Sequence, residues 1–138
     1  IGWCDWSSDV CSSDLSSHNV EHLAPAEVPV ALAEFFRVLK PGGFCIVAVP
    51  DVQQACAMVA EGRGDETAYE APCGAITPWD VIFGHAGMRA DNPFMAHRTG
   101  FTLASLRNAM QAAGFRVEHS EVAGWDLRIV GVRDGDGA

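Results

Sequence analysis

Basic residues are scarce in this chain: nine Lys and Arg stand against eighteen Asp and Glu, a formal net charge of −9 over 138 residues. The nine are scattered and form no stripe, which argues against a nucleic-acid partner, because such binding rests on neutralising phosphates. Long apolar runs are also missing. Nothing approaches the ~20 apolar residues that a membrane-spanning helix requires. The first residues have neither the basic n-region nor the continuous apolar h-region of a secretory signal. A cytoplasmic protein with no membrane partner is the expectation. The five cysteines (Cys4, Cys11, Cys45, Cys56 and Cys73) include no CxxC pair, so free, mostly buried thiols in a reducing compartment are expected. No internal repeat is visible.

What is present reads as a globular domain: 49% of residues are apolar and 20% charged, enough to build a core and too few charges for a disordered chain. Residues 15–18 are a stub with the look of a strand end. The spacing of Val28, Leu32, Phe35, Phe36 and Leu39 predicts an amphipathic helix over residues 25–40, closed by Pro41-Gly42-Gly43. Residues 44–49 (FCIVAV) form a continuous β-branched apolar run, the pattern of a central strand covered on both faces of a parallel sheet. Pro50-Asp51 ends it, and a short helix is expected over residues 52–61. Residues 62–100 show no period and hold Pro72, Pro78, Pro93, Tyr69, Trp79, Phe83 and Phe94, which suggests a lid or substrate-binding insert. Thr102 caps a helix over residues 103–113, with Leu103, Leu106 and Met110 on one face. Residues 115–122 and 125–133 read as a hairpin around Ala123-Gly124, followed by a disordered tail over residues 134–138.

The segment Asp5-Trp6-Ser7-Ser8-Asp9-Val10-Cys11-Ser12-Ser13-Asp14-Leu15 resembles the in-frame translation of a sequencing-library adapter. On that reading residues 1–15 are an artefact to be set aside before reasoning about fold, and the chain stays acidic without them.

Three further stretches carry a family resemblance. Ser16-Ser17-His18-Asn19-Val20-Glu21-His22-Leu23 looks like the loop after the fourth strand of class I S-adenosylmethionine-dependent methyltransferases. Arg37-Val38-Leu39-Lys40-Pro41-Gly42-Gly43 resembles their junction into the fifth strand, and Leu106 through Ala113-Gly114-Phe115 their last helix running into the sixth. Asn92-Pro93-Phe94-Met95-Ala96-His97-Arg98-Thr99-Gly100-Phe101-Thr102 is similar to a subgroup of methyltransferase-like proteins. The resemblance spans residues 16–133. It implies an α/β fold, the C-terminal portion of a Rossmann-like methyltransferase: parallel strands with helices, ending in an antiparallel β-hairpin. The family's glycine-rich loop and the acidic residue after its second strand have no counterpart here. The expectation is therefore a fragment whose N-terminal cofactor-binding half is missing, inactive alone and prone to self-associate through an unpaired sheet edge.

The resemblance implies S-adenosylmethionine as cofactor, with Ser17, His18, Asn19 and Glu21 beside it, and a small-molecule acceptor bordered by Asp51. His18 is the candidate base where the acceptor must lose a proton; alternatively His18 and Asn19 only hydrogen-bond the loop, and Glu21 and His22 brace it. Asp51 is equally a helix N-cap. His97 and Arg98 are candidates to read a polar substrate group, or else decorate a surface loop. Trp79 and Phe94 read as loop anchors. His18-Asn19-Val20-Glu21-His22 also matches H-x-x-E-H, the inverted zinc-protease pattern. A zinc hydrolase through His18, Glu21 and His22 needs both histidines one turn apart on a helix, whereas here a strand stub precedes them and Pro25 follows. No metal ligand is assigned. A non-catalytic half-domain that pairs its sheet edge with a partner is the other alternative.

Overall fold

The computed structural model describes residues 4–5 and 10–135, with side chains from Cys11 onward. Among them a five-stranded sheet has the order β1-β2-β3-β7-β6, with β1 Cys4–Asp5, β2 Val10–Ser17, β3 Leu39–Pro50, β6 Arg116–Ala123 and β7 Asp126–Val132. β2 and β3 are parallel, and the crossover between them holds α1 (Val28–Val38). β7 runs antiparallel to both β3 and β6. A second, two-stranded sheet pairs β4 (Tyr69–Ala71) with β5 (Gly74–Ile76).

Alternation along β3 sorts its side chains between two faces. Cys45, Val47 and Val49 are fully buried and join Leu127 and Ile129 of β7 beneath α1 and α5 (Leu103–Ala112). α1 contributes Val28 and Leu32, and α5 contributes Leu106 and Met110, at the three- and four-residue steps that put them on one stripe. Gly131 of β7 lets α5 lie close: a Cβ there would sit 2.7 Å from Met110 Cε. Phe36 meets Phe115 edge-on at 5.2 Å. The C-terminal end of α1 is closed by a residue distant in sequence. Arg133 Nη1 donates to the carbonyls of Phe36, Arg37 and Leu39 at 3.2, 3.0 and 2.8 Å, while its guanidinium lies 5.0 Å from the Phe36 ring centre. A cation at the negative end of a helix dipole is favourable, and here it also satisfies orphan carbonyls.

The opposite face of the sheet differs from the expectation of a strand covered on both sides, while β3 is parallel to β2 as expected and antiparallel to β7. Phe44 is 41% exposed and Leu15 63%, and with half-buried Ile46, Val130 and Val132 they form an apolar strip. β3 also begins earlier than expected, at Leu39. α1 stops at Val38 because Pro41 cannot extend it and Leu39 is already extended. The four residues Lys40 to Gly43 are taken up by a register shift between Cys11↔Leu39 and Ser13↔Phe44.

Residues 10–15, expected to be an artefact, are the first part of β2; residues 1–3 and 6–9 lie outside the described residues. Ladder hydrogen bonds use the backbone alone, so this placement says nothing of the segment's origin. Cys11 is disulfide-bonded, contrary to the expectation of free thiols, and Cys4 stands opposite it across the β1–β2 ladder. Cys45 is free and buried as expected, whereas Cys56 and Cys73 are exposed. α2 spans Val52–Ala60.

The insert is not structureless. It holds β4, β5, α3 (Pro78–Phe83), α4 (Ala86–Asp91) and a 3-10 turn Pro93–Met95. Each is shorter than the window over which periodicity becomes visible, and polar caps start them. Thr77 and Asp80 form a reciprocal capping box at α3. Of the tail, Asp134 is tied to Arg116 at 2.9 Å, and residues 136–138 lie outside the described residues. No helix is long and apolar enough to cross a membrane among the described residues.

Candidate active site

β2 and β3 end side by side, and the chain leaves β2 through a backbone conformation that few residues adopt. His18 has φ of 54°, a left-handed geometry costing of order 1–3 kcal/mol for a residue with a Cβ. Its N–H still donates to Ala48 O at 2.9 Å, so the bend begins while the residue is anchored to β3. Val20–His22 then forms a single 3-10 turn. The H-x-x-E-H string therefore does not present its two histidines on an α-helix, the geometry a zinc hydrolase of that pattern needs.

The bend aims His18 across the sheet ends. Asp126 opens β7 opposite Pro50, and His18 Nε2 donates to Asp126 Oδ2 at 3.3 Å. On its other side His18 Nδ1 lies 3.5 Å from Glu21 Oε1. The hydrogen bond to Asp126, with the Glu21 carboxylate 3.5 Å away on the other side, pushes the His18 pKa up to about 10, so the ring is a cation at neutral pH.

Glu21 is 1% exposed, and neither carboxylate oxygen has a hydrogen-bond partner in the protein. Its backbone carbonyl is the busier group. Both Arg98 N and Thr99 N donate to it, at 2.7 and 3.1 Å, and Thr99 Oγ1 donates to Leu23 O at 2.7 Å. The end of the insert is thus latched to the turn. This latch carries His97 in beside His22: the rings meet edge-on with centres 5.0 Å apart. His22 Nδ1 donates to Ala96 O at 3.1 Å, and His97 Nδ1 donates to Val81 O at 2.9 Å. Burial lowers the His97 pKa, so that ring stays neutral.

Together these groups floor a cavity of about 190 Å³, roofed by Tyr69, Ile76, Val81, Met88 and Met95 from the insert. Of the residues expected at a site, the structure brings His18, Glu21 and His97 to this cavity. Ser17 and Asn19 are exposed beside it. Arg98 is exposed and does not line it, and its contribution to the latch is its backbone N–H. Asp51 is 4% exposed and fully engaged, Oδ1 accepting from Gln53 N at 3.1 Å and Oδ2 from Gln54 Nε2 at 2.8 Å. It is the N-cap of α2, so the capping alternative is the one its geometry shows. Trp79 stacks on Phe83 and covers Gly64, as a loop anchor does; Phe94 is 83% exposed and anchors nothing. Asp126 carried no signal in the sequence, since only sheet order sets it beside His18. His85, Met88 and Met95 sit within a segment without visible period, and His22 was expected to brace the loop or, in the zinc-hydrolase alternative, to hold a metal.

The methyltransferase-domain family matches residues 15–120. No curated relative matches the chain by sequence. Among solved structures it is similar to an S-adenosylmethionine-dependent methyltransferase from Methanosarcina mazei, with TM-score 0.61 and 16% identity over 93% of this chain and 61% of that one. A second, from Mesorhizobium loti, gives 0.55 and 15% over 91% and 62%. The third is the 1,6-didemethyltoxoflavin-N1-methyltransferase of Burkholderia thailandensis, solved with 1,6-didemethyltoxoflavin and S-adenosylhomocysteine, at 0.54 and 17% over 90% and 44%. The chain spans 61%, 62% and 44% of the lengths of these three structures. The chain therefore belongs to the methyltransferase-domain family, and its fold is that of the Rossmann-like S-adenosylmethionine-dependent methyltransferases it is similar to.

Proposed function

We propose that the chain is the acceptor side of an enzyme that transfers a methyl group from S-adenosylmethionine to a small molecule. The observation that carries this reading is the cavity's position. It opens at the carboxyl ends of β2 and β3, where open α/β sheets take their ligands, and the insert roofs it with apolar side chains. Small-molecule sites have this composition, apolar walls with a few convergent polar groups. The net charge of −9 supports the same choice against nucleic acid.

The residues fit one end of the cofactor. The Asp126 and Glu21 carboxylates, two against the one His18 cation they share, leave a net negative floor that suits a sulfonium cation, and Ser17 and Asn19 lie at the sheet end beside them. A volume of about 190 Å³ falls below the about 300–1,000 Å³ of sites that enclose a whole ligand, and no glycine-rich turn follows a strand among the described residues. When bound, S-adenosylmethionine supplies an electrophilic methyl group. This chain's part is to hold the acceptor in line and exclude water, which accounts for much of such a rate enhancement. His18 is charged at neutral pH and so holds a proton at Nε2 rather than accepting one. As a base it acts only above about pH 10, and Asp126→Asn would lower that threshold.

The test is to recover the gene upstream of the Ser16 codon with primers free of adapter sequence, and to express the longer protein. A strand and glycine-rich turn in frame, with S-adenosylhomocysteine binding to the longer protein and not to residues 16–138, supports the reading. Tight binding by the 138-residue chain alone would overturn the division of labour. If His18 serves as base, the rate rises with pH through the alkaline range and Asp126→Asn moves that rise toward neutrality. A flat profile assigns His18 to positioning.

The apolar strip of Leu15, Phe44, Ile46, Val130 and Val132 favours a second reading, a non-catalytic module that docks through this face. A start codon close to Ser16 together with cooperative melting of the chain would bring that reading forward.

A further inference from the structure

We propose that Glu21, His22 and His97 form a binding site for a divalent transition-metal ion of the zinc class. Three independent features converge on it. One ligand atom from each residue can be chosen such that all three lie within 4.8 Å of one another. Ligands about 2.0–2.2 Å from zinc stand about 3.3–3.6 Å apart in a tetrahedron, so closure asks for shifts of about 1 Å.

The second feature is the direction of the rings. A carbonyl only accepts, so the bonds to Ala96 O and Val81 O place the proton of each imidazole on Nδ1. In the neutral ring each Nε2 is then the nitrogen open to a metal, and His22 Nε2 stands 3.7 Å from Glu21 Oε1. Histidines that hold metals are oriented in this way, their second nitrogen donating to a carbonyl or carboxylate. The other two histidines of the cavity are arranged differently. His85 Nδ1 accepts from Met88 N at 3.3 Å, and both nitrogens of His18 face carboxylates.

The third feature is Glu21 itself. A carboxylate 1% exposed, with no hydrogen bond to either oxygen and only the longer contacts to His18 and His22 at 3.5 and 3.7 Å, is a costly group that a bound cation would satisfy. Two imidazole nitrogens and one carboxylate select zinc, cobalt or nickel over magnesium or calcium, which favour oxygen alone. Three protein ligands beside a cavity leave a fourth position facing it, the pattern of zinc sites that bind an exogenous ligand. This site does not depend on the methyl-transfer reading and stands if that reading fails.

The probe is Co²⁺ added to the metal-free 138-residue chain, read by its visible d–d absorption. One equivalent is expected to produce the intense bands of a low-coordinate nitrogen–oxygen site, and Zn²⁺ to remove them. His97→Ala and Glu21→Gln each lose the bands, whereas His119→Ala, at an exposed histidine on β6, keeps them. Thermal melts of every variant separate loss of ligand from loss of fold. X-ray absorption of the Zn²⁺-loaded wild type serves where a variant does not fold, with two imidazoles and an oxygen expected. Absence of bands at one equivalent, equal loss in His119→Ala, or an oxygen-only shell would overturn the site.

Discussion

The two hydrophobic clusters of the molecule are unequal. Among the described residues, fourteen buried ones pack between the sheet, α1 and α5, whereas α2 and the insert are organised around three, Ala55, Ile76 and Val81. The body is held by burial, which is strong and indifferent to direction. The insert is held by caps, a two-stranded ladder and the latch to Glu21, which are individually weak but directional. The cavity lies between the two, with a floor fixed by the sheet and a roof of lower stability. Sites that must open to a ligand are drawn from such low-stability segments.

The comparison breaks most visibly where burial is removed. Leu106→Ala, at a fully buried position of α5, should cost about 2–5 kcal/mol and lower the midpoint of the whole denaturation curve. Val81→Ala, in the smaller cluster, should cost about 1 kcal/mol and raise hydrogen exchange mainly in the insert. Equal costs would mean one cooperative unit. Next comes Arg133→Met, which leaves three carbonyls at the end of α1 without their donor. It should destabilise by about 1–3 kcal/mol in chemical denaturation, an effect on the body alone.

Two matched caps sharpen the contrast further. Thr102 and Thr77 each form a capping box, and replacing either with Ala removes about 1 kcal/mol locally. Thr102→Ala should lower the melting temperature, and Thr77→Ala should instead speed exchange in α3 with the melting temperature nearly unchanged. The smallest effect is on stability, and the readout is chemical. Burial pushes the Cys45 thiol pKa up to about 12, so its reactive thiolate is absent until pH rises that far. Cys56 and Cys73, both exposed, should react with a maleimide near neutral pH, and Cys45 only after unfolding.

The same inequality explains what could be read from the residues. α1 and α5 announced themselves through Val28, Leu32, Leu106 and Met110, because burial on one stripe leaves a period. β3 did so through an apolar run, although its uncovered face at Phe44 was invisible, since a run does not say what covers it. The insert's helices were hidden: six residues such as Pro78–Phe83 are too few for a period, and their signal was Thr77 with Asp80 three positions on. Of the site, His18, Glu21 and His97 were legible as residue types in family-like stretches. Asp126 was not, because its place beside His18 depends on β7 crossing between β3 and β6. Asp51 carried two meanings, and only the Gln53 and Gln54 bonds separate them.

The latch on the Glu21 carbonyl is made by the main-chain N–H groups of residues 98 and 99, with the Thr99 hydroxyl and the His22 ring adding side-chain ties. Mutation can therefore rewrite Arg98, and most of the roof before it, without unfastening the insert from the turn. Substitutions in the roof can reshape the cavity one at a time, keeping the same attachment throughout. Novelty in what is bound and permanence in how the roof is hung are decoupled at a single carbonyl oxygen.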